Sequence, residues 1–180
     1  MSSGEKLTES VEHRASDHID AGIRYECAED WHAAANEYRQ VFALNPTGWV
    51  ARYSANNNLG YVLIQLGEYE QAAEHCRAAI AINPGRYNAH KNLGLALQGQ
   101  GHWRDAVLCF VEATRLNPTN ARAWQHLELL LRCRPNLLSQ YPELSQLVVD
   151  MRNELEENNF IQPPIEPTPM YRPVDLPCEH

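Results

Sequence analysis

Positive charge is scarce in this chain. Its 180 residues hold 15 Lys and Arg against 23 Asp and Glu, a formal net charge of −8, so the basic stripe of a nucleic-acid-binding surface is missing and no DNA or RNA partner is expected. Long apolar runs are missing too. The N-terminus, MSSGEKLTESVEHRASD, lacks the roughly 7–15-residue apolar core of a secretory signal, and no later stretch approaches the roughly 20 apolar residues that cross a bilayer. A cytoplasmic protein without membrane insertion is the expectation. The five cysteines (Cys27, Cys76, Cys109, Cys133, Cys178) are odd in number and form no C-x-x-C pair. That argues against a disulfide framework and a zinc site and points to reduced packing thiols. No phosphate-cradling glycine loop, G-x-S-x-G elbow or H-E-x-x-H is present. His75 adjoins Cys76, but sequence neighbours on a helix face different ways. No catalytic residue, cofactor or metal is expected, and the chain reads as non-enzymatic.

What is present is repetition. The stretch "RLNPTN" from Arg115 restates "ALNPTG" from Ala43 and "AINPGR" from Ala81, with prolines at 46, 84 and 118, spaced 38 and then 34 residues apart. When each proline closes a 34-residue unit, Gly22, Gly60 and Gly94 share one position. Ala21, Leu59 and Leu93 precede them, and Tyr25, Leu63 and Leu97 follow three residues later. The pairs Ala34/Tyr38, Ala72/Cys76 and Ala106/Phe110 each fall four apart, eight before the proline at the larger member.

Three in-frame copies of these linked positions resemble the tetratricopeptide repeat, or TPR. The resemblance implies an all-α fold: a right-handed superhelical solenoid of antiparallel helix pairs, closed by a C-terminal capping helix. The array covers residues 15–134, with repeats at about 15–48, 53–86 and 87–120 and a partial fourth at 121–134. In that fourth unit, "ARAWQHLELLLRC" keeps Trp124, Leu127 and Leu131 but has Glu128 at the glycine position. Residues 1–14 are expected as a flexible lead, 135–159 as the capping helix region and 160–180 as a proline-rich tail.

Local chemistry accounts for the pattern. The helix glycines are expected to let small Ala72 and Ala106 approach closely. Each Asn-Pro stops a second helix, and "LGEY" and "QGHW" supply a glycine for the intra-unit turn, where the first unit reads "AEDW". The four extra residues in the 38-residue gap are read as one added helical turn, including Trp49, which either packs under the first unit or anchors a partner.

In the TPR family the concave surface, lined by the first helix of each unit, holds extended peptides. The resemblance therefore carries a partner-binding role to Asn57, Asn58, Tyr61, Lys91, Asn92, Leu95, Arg122 and His126. Asp20 and Ile19, and Gln125 beside His126, hold equivalent positions in the outer units. The asparagines can meet a ligand backbone as donor and acceptor, or can serve only to join neighbouring helices. Lys91 and Arg122 make an acidic or carboxylate-bearing segment the expected partner, with Tyr61 and Leu95 as an apolar floor; the alternative is a solvated face. The chaperone-tail clamp of some TPR proteins is not expected. Its frame finds Ile19, Ile23, Asn58, Asn88 and Asn92, or, one unit on, Asn57, Tyr61, Asn92, Arg122 and His126, so most of its cations are missing.

The function expected is a non-enzymatic interaction module, an adaptor or assembly factor. A secretion-type TPR chaperone, or a substrate-positioning accessory of an enzyme on another chain, remains the alternative. The proline-rich tail could return to the groove, bind another domain through "PIEP", or do neither.

Overall fold

The computed structural model describes residues 3–161, with side chains from residue 10 onward. Nine helices and no strand occur among the described residues: α1 (Ser3–Cys27), α2 (Trp31–Leu44), α3 (Trp49–Gln65), α4 (Tyr69–Ile82), α5 (Tyr87–Gly99), α6 (Trp103–Leu116), α7 (Arg122–Cys133), α8 (Leu137–Gln140) and α9 (Pro142–Glu157). Consecutive helices pack as pairs, α1 with α2, α3 with α4 and α5 with α6, and each pair leans on the next. One apolar core runs unbroken from Ala34 to Leu155. Helical stacking of this kind is what the repeat predicts.

The turns follow from backbone preference. Gly67 (φ 77°) and Gly101 (φ 78°) both take the left-handed conformation that ends α3 and α5, which a residue without Cβ adopts at least cost. The first unit has no such glycine, and Glu29 takes the same conformation with φ 56°. Between units, Asn83 is extended at φ −146°, as a following proline favours, and Asn117 also leaves the helical region at φ −148° and ψ 79°. Asn45 differs and ends α2 in the left-handed region.

The glycines inside the helices do their work against a different residue from the one expected. A Cβ on Gly94 would lie 2.6 Å from the Phe110 ring, and one on Gly60 2.6 Å from Cys76 Sγ; at Gly22 the obstructing group is the Tyr38 ring. The close neighbour is thus the large member of each pair and not the alanine, although the Ala72 carbonyl does stand 3.3 Å from the Gly60 position. These side chains are fully buried, so the missing Cβ is the space they fill.

Two differences appear at the N-terminal end. Helix α1 continues back to Ser3, so the lead expected as flexible over 1–14 is helical from that point. Its Glu12 carboxylate accepts hydrogen bonds from the Thr47 and Gly48 amides, both at 2.8 Å. This pins the first inter-unit linker and places an acid at the start of α3, where the helix dipole favours it. The extra turn is real: α3 has 17 residues against 13 in α5, and Trp49 at its start is 49% exposed rather than packed under the first unit.

At the other end, α9 buries Leu144, Val148, Met151 and Leu155 against the last unit. Arg104 on α6 reaches Glu143 at 3.0 Å. Glu128, standing where the other units have glycine, faces Arg152 of α9 at 3.5 Å, and the same guanidinium lies 5.5 Å from the Trp124 ring centroid. A charged cap thus replaces a closely packed second helix. The proline-rich tail from residue 162 onward, including "PIEP" and Cys178, lies outside the described residues.

Candidate functional site

The first helices of successive units line a common concave cavity of about 360 Å³. Glu26 comes from α1; Asn57, Asn58, Tyr61 and Gln65 from α3; Asn88, Lys91, Asn92 and Leu95 from α5; Arg122 and His126 from α7. The structure brings together all eight residues singled out in the sequence. Ile19, Asp20 and Gln125, at equivalent repeat positions, do not line the cavity. Glu26 and Gln65 join it without having been singled out, and so does Asn88, named above only as a neutral residue at a clamp position.

The asparagines are ordered by a hydrogen-bonded chain that runs one way across three units. Asn92 Nδ2 donates to the Asn57 carbonyl at 3.4 Å and to Asn57 Oδ1 at 3.2 Å. Asn57 Nδ2 donates to Asn58 Oδ1 at 3.0 Å, and Asn58 Nδ2 to the Tyr38 hydroxyl at 3.4 Å. Tyr38 donates to Glu26 Oε1. Two acceptors on Asn57 fix the Asn92 amide with its nitrogen toward α3. Its Oδ1, at the head of the chain, has no partner, although Asn92 is only 2% exposed. The donor half of this side chain joins α5 to α3, and the acceptor half is closed off from solvent without a donor. Burying an acceptor without a donor costs on the order of 1–3 kcal/mol, and donating its own N–H makes that oxygen a stronger acceptor.

Charge is distributed along the same wall. Lys91 Nζ sits 5.9 Å from the Tyr61 ring centroid, and neither Lys91 nor Arg122 forms an ion pair among the described residues, whereas Arg104, Arg115 and Arg152 do. Burial, reinforced by Arg122, holds the Lys91 ammonium down to about 8. His126 stacks on Phe110, centroids 5.7 Å apart and planes 20° off parallel. Burial first, then Lys91 and Arg122, pushes its pKa down to about 4, so the ring is neutral near pH 7. Tyr61 packs edge-on against Trp31 at 6.2 Å. Its own pKa is raised chiefly by burial, with Glu26 raising it and Arg122 opposing, which places the ring between the two signs of charge. Burial also raises Glu26, while the Tyr38 hydrogen bond opposes that shift.

The tetratricopeptide repeat profile matches residues 19–87, and a second profile of the same description matches residues 63–130; together they span more than half of the chain. The chain belongs to the tetratricopeptide repeat family. Solved TPR structures agree in fold. The Arabidopsis OM64 TPR domain superposes with a TM-score of 0.61 at 22% identity, over 68% of this chain and 97% of that one. MamA 41-end from Desulfovibrio magneticus RS-1 gives 0.60 at 22%, over 80% and 76%. The second TPR domain of human RPAP3, solved in complex with the HSP70 peptide SGPTIEEVD, gives 0.60 at 20%, over 67% and 97%. No curated protein gives a sequence match. No described helix of this TPR chain is long and apolar enough to cross a membrane, and no group of three His, Cys, Asp or Glu among the described residues is placed to hold a metal ion.

Glu26 had a signal in the sequence. At the large position of the TPR pair the second and third units have Cys76 and Phe110, and only the first has a hydroxyl, on Tyr38. A buried tyrosine oxygen needs polar partners, and here they are Glu26 and Asn58.

Proposed function

We propose that this protein is a non-enzymatic interaction module that holds an extended segment of a protein partner in its concave groove, with Lys91 and Arg122 receiving an acidic or carboxylate-bearing group. The observation that carries the reading is that Lys91 and Arg122, two cations without acid partners among the described residues, share one cavity with the amides of Asn57, Asn58 and Asn88. An extended peptide offers complements to both, since its backbone can meet the groove asparagines and its acid can make a bidentate contact with Arg122. Family membership and a neighbour solved with a bound peptide support the same class of function. The chaperone-tail clamp is not proposed, because its cation positions are occupied here by Ile19, Asn88 and Asn92 or, one unit on, by Asn57, Arg122 and His126, so that at best Arg122 alone keeps the charge.

The test is affinity capture from native extract with wild type and with the Asn58→Ala, Lys91→Glu, Asn92→Ala, Arg122→Glu variant, once the two are shown to be equally helical. A protein captured by wild type and lost from the variant supports groove binding and names the partner. A partner retained by both moves the interaction off the groove, with exposed Trp49 at the start of α3 the first place to look.

A further inference from the structure

The groove also carries charge of the opposite sign, and this deepens the reading above, on which it rests. Glu26 is half-buried at the α1 end of the cavity. One carboxylate oxygen accepts from Tyr38, and no Lys, Arg or His among the described residues forms an ion pair with it. Lys91 and Arg122 stand on α5 and α7, with α3 between them and α1, so the two signs face the same space without neutralising each other. A partly desolvated charge with no counter-charge is costly, and a ligand that supplies the counter-charge removes that cost. We infer that the groove selects a partner segment of mixed charge, with an acidic group at Lys91 and Arg122 and a Lys or Arg side chain at Glu26.

Spacing limits the segment. Adjacent first helices packed about 8–10 Å apart put α1 and α5 about 16–20 Å apart. Extended chain at about 3.3 Å per residue covers that in about five or six residues. An all-acidic segment satisfies only one end and meets repulsion from Glu26 at the other. A segment with one basic and one acidic residue at that spacing satisfies both.

Capped synthetic peptides test this: acetyl-Lys-Ser-Gly-Ser-Gly-Glu-amide, the same residues in reverse order, and versions of each with Gln or Glu in place of Lys, titrated calorimetrically at millimolar concentration. The proteins are wild type, Glu26→Gln, and Lys91→Glu with Arg122→Glu. Gln still accepts from Tyr38, so the first variant removes charge while keeping the hydrogen bond. The expected result is that wild type binds a mixed-charge peptide, in one of its two orders, about three- to tenfold more tightly than its Gln counterpart. That advantage disappears in Glu26→Gln, and all binding is lost in the charge-reversed variant. Equal affinity of wild type for the Lys and Gln peptides, or an advantage that survives in Glu26→Gln, overturns the mixed-charge inference while leaving acid binding intact. Undiminished binding to the charge-reversed variant, or no binding of any peptide to wild type, overturns the groove reading and this inference with it.

Discussion

His126 makes the electrostatics of the groove measurable without any partner. Its ring is 8% exposed, stacked on Phe110 and faced by Lys91 and Arg122. Its pKa falls from the ordinary 6.5 to about 4, with burial the largest cause and the two cations adding to it. The unfolded chain therefore binds a proton at this residue from about pH 6.5 downward, while the folded chain resists until about pH 4. Above pH 6.5 both forms are neutral and nothing is lost. Between those values the unfolded state gains protons first, so stability falls with pH. Linkage gives a loss of about 2 kcal/mol between pH 7 and pH 5 and about 3 kcal/mol by pH 4. Urea unfolding of wild type and His126→Gln at pH 7 and pH 5 isolates this contribution, because every other titratable group is common to the two proteins. The variant is expected to lose about 2 kcal/mol less than wild type over that interval, whatever its stability at pH 7. If the two lose the same amount, His126 is not held neutral by its surroundings and the charge picture of the groove is wrong. An acidic ligand on Lys91 and Arg122 would offset their field, so it should also move the His126 midpoint upward in an NMR titration.

Lys91 gives a pH dependence of opposite origin. Its ammonium, held down to about 8, loses its charge near that pH, so affinity for an acidic peptide should fall as pH rises through about 8 to 9, and Lys91→Arg should abolish that fall. Gly94→Ala would set a Cβ 2.6 Å from the buried Phe110 ring; overpacking of about 1–3 kcal/mol should lower Tm by roughly 3–10 °C, and an unchanged Tm would mean that the ring has room to move. At the first intra-unit turn, Glu29 holds φ 56° where its counterparts are Gly67 and Gly101. Glu29→Gly should therefore raise Tm by roughly 1–3 °C, and Gly101→Ala should lower it.

Much of this architecture was legible in the sequence because repeats turn long-range packing into a local pattern. Gly60 and Gly94 announced close approach, Pro84 and Pro118 the helix stops, and the four extra residues before the second unit the longer α3. The groove residues were readable for the same reason. Once the frame is set, Asn57, Asn58, Lys91, Asn92, Arg122 and His126 share positions on the first helices, which the stack brings to one wall. What the frame could not show is where the repeat is broken. Glu12 lies ahead of the first aligned position, yet its carboxylate holds the linker at Thr47 and Gly48, a contact specific to one junction and written in no other unit.

Glu26 shows the same limit at the site itself. Its repeat-equivalents are Ile64 and Gln98, both buried and neither lining the cavity, so alignment argues against a groove role. What brings it there is Tyr38, the one large-position residue with a hydroxyl, whose ring packs over Gly22 and whose oxygen joins Glu26 on α1 to Asn58 on α3. A phenylalanine there, as in the third unit, would keep the packing but break the hydrogen-bonded chain from Asn92 at its carboxylate end. The charge of the groove at this end is thus set from the second-helix side of the stack. Tyr38→Phe should accordingly change which peptides bind while leaving the fold in place.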